Sequence, residues 1–233
     1  MRILQVLLAV MPLVLPAAAL AQRGPVLVEL FTSQGCSSCP PADAILAELA
    51  DAPGVIALAL HVDYWDYLGW KDKFGQEAHT RRQRAYAKVA RERSVYTPQM
   101  IVQGVDRVVG ANAEQVLGLI DVHQARPETA ALTLDRDGPM LRIRLAPVAL
   151  AGAGASDVYL VRFLSAETVA IGAGENAGHQ IAYRNIVTEW SPLARWDGRS
   201  TAEFGVELVG PENVAVIVQR ERLGPVLTAA KLP

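Results

Sequence analysis

The chain of 233 residues has very few cysteines and little net charge. Its two cysteines, Cys36 and Cys39, stand close together, so a framework of several structural disulfides is excluded. The formal net charge of −2 gives no electrostatic reason to expect nucleic acid or an anionic membrane surface as a partner. Both kinds of partner are therefore set aside.

Long apolar runs are missing except at the N-terminus. Residues 1–21 carry one early charge, Arg2, followed by an apolar run that ends in the small residue Ala21. This pattern is typical of a secretory signal peptide cleaved after Ala21. A transmembrane anchor is the alternative, but Pro12 and Pro16 interrupt a run that barely reaches the roughly 20 residues needed to span a bilayer. We expect a periplasmic or secreted mature chain without a membrane anchor.

Strand and helix patterns alternate in the first half of the mature chain. The predicted order over residues 25–123 is β, α, β, α, β, β, α, which implies a sheet covered by helices. Residues 124–130 have the composition of a linker, and beyond them the helical periodicity disappears and short strand patterns follow. We therefore predict an α/β domain at 22–125 and a β-rich, antiparallel, sandwich-like domain at 126–233.

The two cysteines lie between the first predicted strand and a helix. Pro40 and Pro41 predict a helix that begins at or just before the cysteines, with Cys36 at its N-terminus, because proline is tolerated only in the first helical turn. Thiol–disulfide exchange needs one thiolate that attacks and a second thiol that resolves the mixed disulfide, and this spacing supplies both. Since a helix N-terminus lowers a thiol pKa, Cys36 is the expected nucleophile and Cys39 the resolving thiol.

A structural disulfide and a metal site are the alternative interpretations of the pair. A disulfide that closes so small a loop has little stabilising effect, because the entropic gain grows with loop length. A zinc site needs about four ligands. The remaining nitrogen ligands are scattered along the chain, at His61, His79, His123 and His179.

Several segments resemble an uncharacterised secreted thioredoxin-like family of proteobacteria. The resemblance rests on residues 31–43, which contain Cys-Ser-Ser-Cys-Pro-Pro, and on residues 61–65 and 96–99. Residues 174–178 and 185–187 resemble the C-terminal part of that family, so the similarity covers nearly the whole mature chain. It implies a thioredoxin-like fold at the cysteines, followed by a C-terminal β domain.

The resemblance also implies how a client would bind. In a thioredoxin-like fold the proline at the position of Pro98 commonly follows a cis peptide bond and lies against the disulfide. An extended client segment would pair with the backbone there, beside Thr97. The partners implied are protein thiols or disulfides, or a redox partner protein, and neither an organic cofactor nor a metal is required.

Asp63 and Trp65 follow the second predicted strand. We expect them to line the groove beside the disulfide, because ligand-contacting loops cluster at the carboxyl ends of strands in open α/β sheets. The alternative is that Trp65 covers the core.

Three further features have ordinary structural interpretations. Thioredoxins carry a buried Asp on the strand before the first cysteine, but the matching position here is Leu30, so that proton relay is not implied. Asp43 is interpreted as a helix-stabilising charge in the first turn, and His61 as a hydrogen-bonded core histidine. The glycine-rich residues 172–178 are interpreted as a long hairpin loop.

The sequence thus predicts an exported thiol–disulfide oxidoreductase. A redox-inactive binding or assembly module and a periplasmic copper chaperone are the alternatives. The direction of exchange and the oligomeric state stay open.

Overall fold

The computed structural model describes residues 24–148 and 154–232. The predicted signal peptide at 1–21 lies outside these residues. No helix within the described ranges is long and apolar enough to cross a membrane.

Strands dominate the described part of the chain. They are β1 (Val26–Thr32), β2 (Val55–His61), β3 (Gln99–Val102), β4 (Asp106–Val109), β5 (Ala130–Asp137), β6 (Met140–Pro147), β7 (Ser156–Ala170), β8 (Gln180–Trp196), β9 (Ala202–Glu207), β10 (Asn213–Arg220) and β11 (Val226–Lys231). The helices are α1 (Pro40–Ala50), α2 (Glu77–Ala90) and α3 (Ala113–Gln124), with a short 3₁₀ helix at Asp66–Leu68.

The strands form two sheets. The larger sheet has eight strands in the order β11-β10-β7-β8-β2-β1-β3-β4, and the smaller has three in the order β5-β6-β9. The larger sheet is mixed: β1 runs parallel to β2 and antiparallel to β3, and β8 runs parallel to β2 with Ile186 opposite Ala59.

The predicted fold class, a thioredoxin-like α/β fold followed by an antiparallel β domain, is wrong. Strands β7, β8, β10 and β11 continue the same sheet that holds β1 and β2, so the protein is predominantly β and is built on one large mixed sheet. The error has a physical reason. The prediction assumes that elements consecutive in the sequence are neighbours in the sheet, as they usually are. Here β2 pairs with β8, a strand more than a hundred residues further along the chain.

The first two strands are buried along their whole length. On one face of the sheet α1 and α3 cover Leu30 together with other apolar residues of β1 to β3. On the other face Phe31 and Tyr86 pack with Phe163 and Ile217, which belong to β7 and β10. Because each fully buried large apolar side chain contributes about 1.5–3 kcal/mol, this core links the early and the late strands energetically.

A buried ion pair joins α2 to the same face of the sheet. Arg82 donates to Glu29 of β1 at 2.6 Å and to Gln219 of β10 at 3.1 Å. The Arg82 guanidinium also lies 3.8 Å from the ring centroid of Trp190 in β8. The carboxylate of Glu29 therefore points away from the face that α1 covers, as strand alternation predicts.

Candidate functional site

Cys36 and Cys39 form a disulfide in the turn between β1 and α1, with their Cα atoms 5.4 Å apart. The predicted disulfide bond is thereby confirmed. The turn is closed by a hydrogen bond of 3.1 Å from the Cys39 N–H to the Cys36 carbonyl oxygen.

The position of the helix relative to the cysteines differs from the prediction. Helix α1 begins at Pro40, and its N-cap residue is Cys39, so Cys36 lies outside the helix. The first two helical residues are Pro40 and Pro41, which have no N–H to offer an anion. The helix start therefore supplies less stabilisation to a Cys36 thiolate than we expected.

The two cysteines differ slightly in exposure. Cys36 is 3% exposed and Cys39 has no exposed surface, while Ser37 and Ser38 between them are exposed. The hydroxyl oxygen of Ser38 lies 3.4 Å from Cys36 Sγ. Cys36 is thus the slightly more exposed residue of the pair, and Cys39 is the inner one.

One flank of the disulfide turn is formed by residues that the sequence predicted. The peptide bond between Thr97 and Pro98 is cis. Ser38 donates from its hydroxyl to the Thr97 carbonyl oxygen at 3.5 Å, and Trp65 donates from Nε1 to Thr97 Oγ1 at 2.7 Å. The structure therefore brings Trp65, Thr97 and the disulfide turn together.

Asp63, which was predicted to line the same groove, is directed elsewhere. Its carboxylate accepts a hydrogen bond of 2.6 Å from the Thr80 hydroxyl, and its backbone N–H donates to the Thr80 hydroxyl oxygen at 3.3 Å. Thr80 lies in the first turn of α2. In this structure Asp63 ties the loop after β2 to that helix.

The other flank is formed by the loop that joins β7 to β8, residues 171–179, which we call the β7–β8 loop. Asn176 is buried and donates from Nδ2 to the carbonyl oxygens of Gln34 and Cys36, at 2.9 and 3.0 Å. Glu175 accepts a hydrogen bond of 2.7 Å from the Ser37 hydroxyl. The sequence predicted a hairpin loop at 172–178 but not its place in the site.

A buried acid–histidine pair lies beneath the turn. His61 Nδ1 and Asp72 Oδ2 are 2.7 Å apart, and the same carboxylate oxygen accepts from the Gln34 N–H at 2.8 Å. Burial raises the pKa of Asp72, but the hydrogen bond and charge of His61 and two backbone N–H groups outweigh it, so the pKa lies below its usual value. The prediction of a hydrogen-bonded core histidine agrees with this contact.

Asp43 is also buried beneath the turn, at 3% exposure. One of its oxygens accepts from the Thr32 hydroxyl at 2.9 Å, and the other has no hydrogen-bond partner among the described residues. Burial raises the pKa of Asp43 to about 7, although His61 and Thr32 act in the opposite direction. Its interpretation as a helix-stabilising charge fits its place in the first turn of α1, but not its burial.

A groove of about 440 Å³ opens beside the disulfide turn. It lies between the start of α1 and the β7–β8 loop, and its lining includes Ser37, Pro40, Asp43 and His179. Over residues 24–148 and 154–232, no three His, Cys, Asp or Glu side chains are grouped so that they could hold a metal ion.

The fold and the site together define a class of protein: a mixed-sheet protein with a Cys-x-x-Cys disulfide on a strand-to-helix turn. The chain belongs to the family described as "Protein of unknown function (DUF1223)", whose model matches residues 27–219. The predicted resemblance to an uncharacterised family is confirmed to this extent.

Two solved structures are similar to the chain. One is the X-ray crystal structure of a protein from Agrobacterium tumefaciens whose sequence is 30% identical to this chain. The alignment covers 91% of this chain and 96% of the Agrobacterium chain, with a TM-score of 0.78. HBP35 of Porphyromonas gingivalis is 14% identical, covers 90% of this chain and 75% of its own, and has a TM-score of 0.56, a likeness of fold alone. None of the curated proteins matches the chain.

Proposed function

We propose that this protein is an exported thiol–disulfide oxidoreductase, in which Cys36 exchanges disulfides with client proteins and Cys39 resolves the mixed disulfide. The observation that carries the proposal is the disulfide itself, held beside Thr97 and Trp65 in a turn whose Ser37 and Ser38 are exposed. A structural disulfide that closes so short a loop would gain little from chain entropy.

The exchange takes two steps. In the reductive direction the Cys36 thiolate attacks one sulfur of a client disulfide, and the other client sulfur leaves with the electron pair. The Cys39 thiolate then attacks Cys36 Sγ, the bond between Cys36 and the client breaks, and the second client thiolate leaves. The client ends as a dithiol and this protein as a disulfide. A client dithiol runs the same steps in reverse.

The flanks of the turn determine how a client can approach. The β7–β8 loop covers the side of Ser37 and the Cys36 carbonyl, so an extended client segment reaches the disulfide from the side of Ser38, Thr97 and Trp65. Pairing with the backbone at Thr97 would align such a segment by strand addition. Exchange of this kind uses protein sulfur atoms alone, so the proposal includes neither an organic cofactor nor a metal.

An oxidising compartment completes the proposal. Disulfides persist in secreted and periplasmic proteins and are rare where glutathione and thioredoxin keep thiols reduced. We therefore place the mature protein in the periplasm or outside the cell, as the leader pattern at 1–21 predicts.

One observation favours a second candidate, a binding or assembly module with an inert disulfide. Cys36 is only 3% exposed, and a thiolate cannot attack a sulfur that it cannot reach. The two candidates differ in whether small thiols and client proteins exchange with the pair.

The deciding experiment equilibrates the exported chain in glutathione and dithiothreitol buffers and counts free thiols by alkylation and mass measurement. An oxidoreductase is expected to titrate between roughly −120 and −270 mV, the range of known exchange proteins. In cells, Cys39→Ser should capture clients through Cys36, whereas a variant with both cysteines replaced by serine should capture none. A disulfide that resists reduction below about −300 mV and captures nothing would support the inert module instead.

A further inference from the structure

We infer that Asp43 is the acid–base group of the inner cysteine: it accepts the proton of the Cys39 thiol when Cys39 resolves a mixed disulfide, and returns it when the disulfide opens. The inference rests on the proposed function, because it assigns the proton transfer of that same exchange.

The need for such a group follows from burial. Cys39 has no exposed surface, yet its thiolate is the species that attacks Cys36 Sγ. Burial in apolar surroundings raises a thiol pKa, and solvent cannot reach Cys39 directly to take its proton. A buried base close to Cys39 would accept the thiol proton in place of solvent.

Asp43 lies where this base is needed. Its backbone N–H donates to the Cys39 carbonyl oxygen at 3.1 Å, so the two residues are one helical turn apart. Residues four positions apart lie on the same face of a helix, and both side chains here face the interior. No other carboxylate in α1 is buried: Glu48 is exposed.

The Asp43 carboxyl has a vacant acceptor position. Thr32 donates to Oδ1, while Oδ2 is buried and has no hydrogen-bond partner within the described ranges. Because buried polar atoms are usually paired, this oxygen is one that can take a proton without first losing a hydrogen bond.

The groups that face Asp43 come from several elements. His61 of β2 favours the ionised carboxyl, Asp72 opposes it, and Thr32 of β1 hydrogen-bonds to it. Burial raises the pKa of the Tyr183 phenol of β8, and the charge of the nearby Asp43 raises it further; the ring centroid of Tyr183 is 4.9 Å from that of His61. Burial remains the largest influence and raises the Asp43 pKa to about 7, where a carboxyl can both accept and release a proton at neutral pH.

The groove beside the turn gives the proton a way out. Asp43 is part of its lining, together with the exposed Ser37. A proton taken from Cys39 can therefore pass from Asp43 to solvent without crossing the core.

The resolving step couples the transfer of one proton to the exchange of one sulfur–sulfur bond for another. Cys39 transfers its proton to Asp43 and attacks Cys36 Sγ with the freed electron pair. The new sulfur–sulfur bond forms as the bond between Cys36 and the client breaks, and the client sulfur leaves as a thiolate. The Asp43 carboxyl then releases the proton to solvent. In the reverse direction Asp43 protonates Cys39 as the disulfide opens.

A two-phase assay tests the inference on the full exported chain. Reduced protein is mixed with the aromatic disulfide 5,5′-dithiobis(2-nitrobenzoate). Attack by Cys36 releases one coloured thiolate, and attack by Cys39 on the mixed disulfide releases a second. We expect the second phase to slow by about 100-fold in Asp43→Asn at pH 7.5 and to lose the inflection near pH 7, while the first phase is little changed.

Three matched variants sharpen the result. Asp43→Glu, which keeps the acid, should recover part of the second-phase rate. Glu48→Gln removes the same charge from an exposed position of α1 and should leave both phases unchanged. Thr32→Val keeps the shape but removes the hydroxyl donor to Asp43, so the inflection should move to higher pH.

The two hypotheses fail in different ways. A missing first phase in the wild type would overturn the proposed function itself. A normal first phase, with a second phase in Asp43→Asn as fast as in the wild type and with the same pH profile, would overturn the inference alone. If Asp43→Asn does not fold, Thr32→Val decides: an unchanged inflection overturns the inference and an upward shift supports it.

Discussion

Asn176 donates a hydrogen bond of 3.0 Å to the carbonyl oxygen of Cys36, although 140 residues separate them along the chain. A second bond from the same amide reaches the Gln34 carbonyl. The β7–β8 loop therefore holds the backbone of the disulfide turn from outside, and strands β7 and β8 carry this loop.

Asn176→Ala should loosen the disulfide turn. The substitution removes the side-chain hydrogen bond to the Gln34 carbonyl and leaves the Cys36 carbonyl with only the bond from the Cys39 N–H, which we expect to lower the free energy of unfolding by about 1–3 kcal/mol. Dithiothreitol should reduce the disulfide several-fold faster, because the turn can open without breaking these bonds. The reduction rate is measured by alkylating samples taken over time.

Asn112→Ala is the matched control for this experiment. Asn112 accepts from the Gln115 N–H at the start of α3, so its loss lowers stability by roughly 1 kcal/mol at a place that has no hydrogen bond to the turn. Its reduction rate should equal that of the wild type. Equal acceleration in both variants would mean that general destabilisation, not the loop, controls access.

Trp65→Phe should weaken exchange with client proteins while sparing exchange with small disulfides. The indole N–H holds Thr97 Oγ1 at 2.7 Å, and a single hydrogen bond contributes about 1 kcal/mol, or roughly fivefold in rate. The measurement compares mixed-disulfide formation by Cys39→Ser with a disulfide-bonded peptide and with glutathione disulfide. Trp190→Phe, a change in β8 beside Arg82, is the control. A fivefold loss with both reagents would show that Trp65 acts on the disulfide and not on the client.

The parts of this site that the sequence predicted depend on local signals. Cys36 and Cys39 lie on a strand-to-helix turn because an apolar strand, two prolines and a helical stripe follow one another in the chain, and Thr97 and Pro98 directly precede a short strand. The parts that it missed depend on distant contacts. In the sequence, Asp43 has the pattern of an ordinary charge at a helix start, and only the structure shows that it is buried. No sequence pattern near residues 171–179 predicts the hydrogen bond from Asn176 to Cys36.

The fold shows the same division. Among the short strand patterns that the sequence predicts beyond residue 130 are those at 140–146 and 214–219, and these fall within β6 and β10. Alternating or continuous apolar runs of this kind are a property of each segment. The pairing of Ala59 with Ile186 depends on how distant parts of the chain pack together, so no local pattern predicts it. Through this pairing, β7, β8, β10 and β11 extend the sheet that holds β1 and β2.

The pKa of Asp43 predicts how stability depends on pH. Since the folded pKa of about 7 lies above the ordinary aspartate value of 3.8, folding is favoured by this group at acid pH, and its contribution falls as pH rises from about 4 to about 7. The free energy of unfolding of Asp43→Asn minus that of the wild type should therefore increase by a few kcal/mol between pH 4.5 and pH 8.

The comparison between variant and wild type is essential, because His79 acts with the opposite sign. Burial lowers its pKa to about 4, so its contribution is lost as pH falls below about 6.5. Urea unfolding curves of wild type, Asp43→Asn and the exposed control Glu48→Gln at both pH values isolate the Asp43 effect. A pH-independent difference between wild type and Asp43→Asn would show that the carboxyl is ionised throughout this range.

Arg82→Ala tests whether the early and late strands unfold together. The guanidinium pairs with Glu29 of β1 and contacts Gln219 of β10, so its removal leaves a buried carboxylate without its cation. Breaking a buried pair in this way lowers the free energy of unfolding by about 3–5 kcal/mol. Arg81→Ala, which removes an exposed pair with Glu77, should lower it by less than about 1 kcal/mol.

The shape of these unfolding curves also tests the predicted division into units at 22–125 and 126–233. Because Arg82 touches strands on both sides of that boundary, we expect a single urea transition, shifted as a whole in Arg82→Ala, with amides of β1 and β10 losing hydrogen-exchange protection together. Two transitions, of which the substitution shifts only one, would instead support two units that unfold separately despite sharing a sheet.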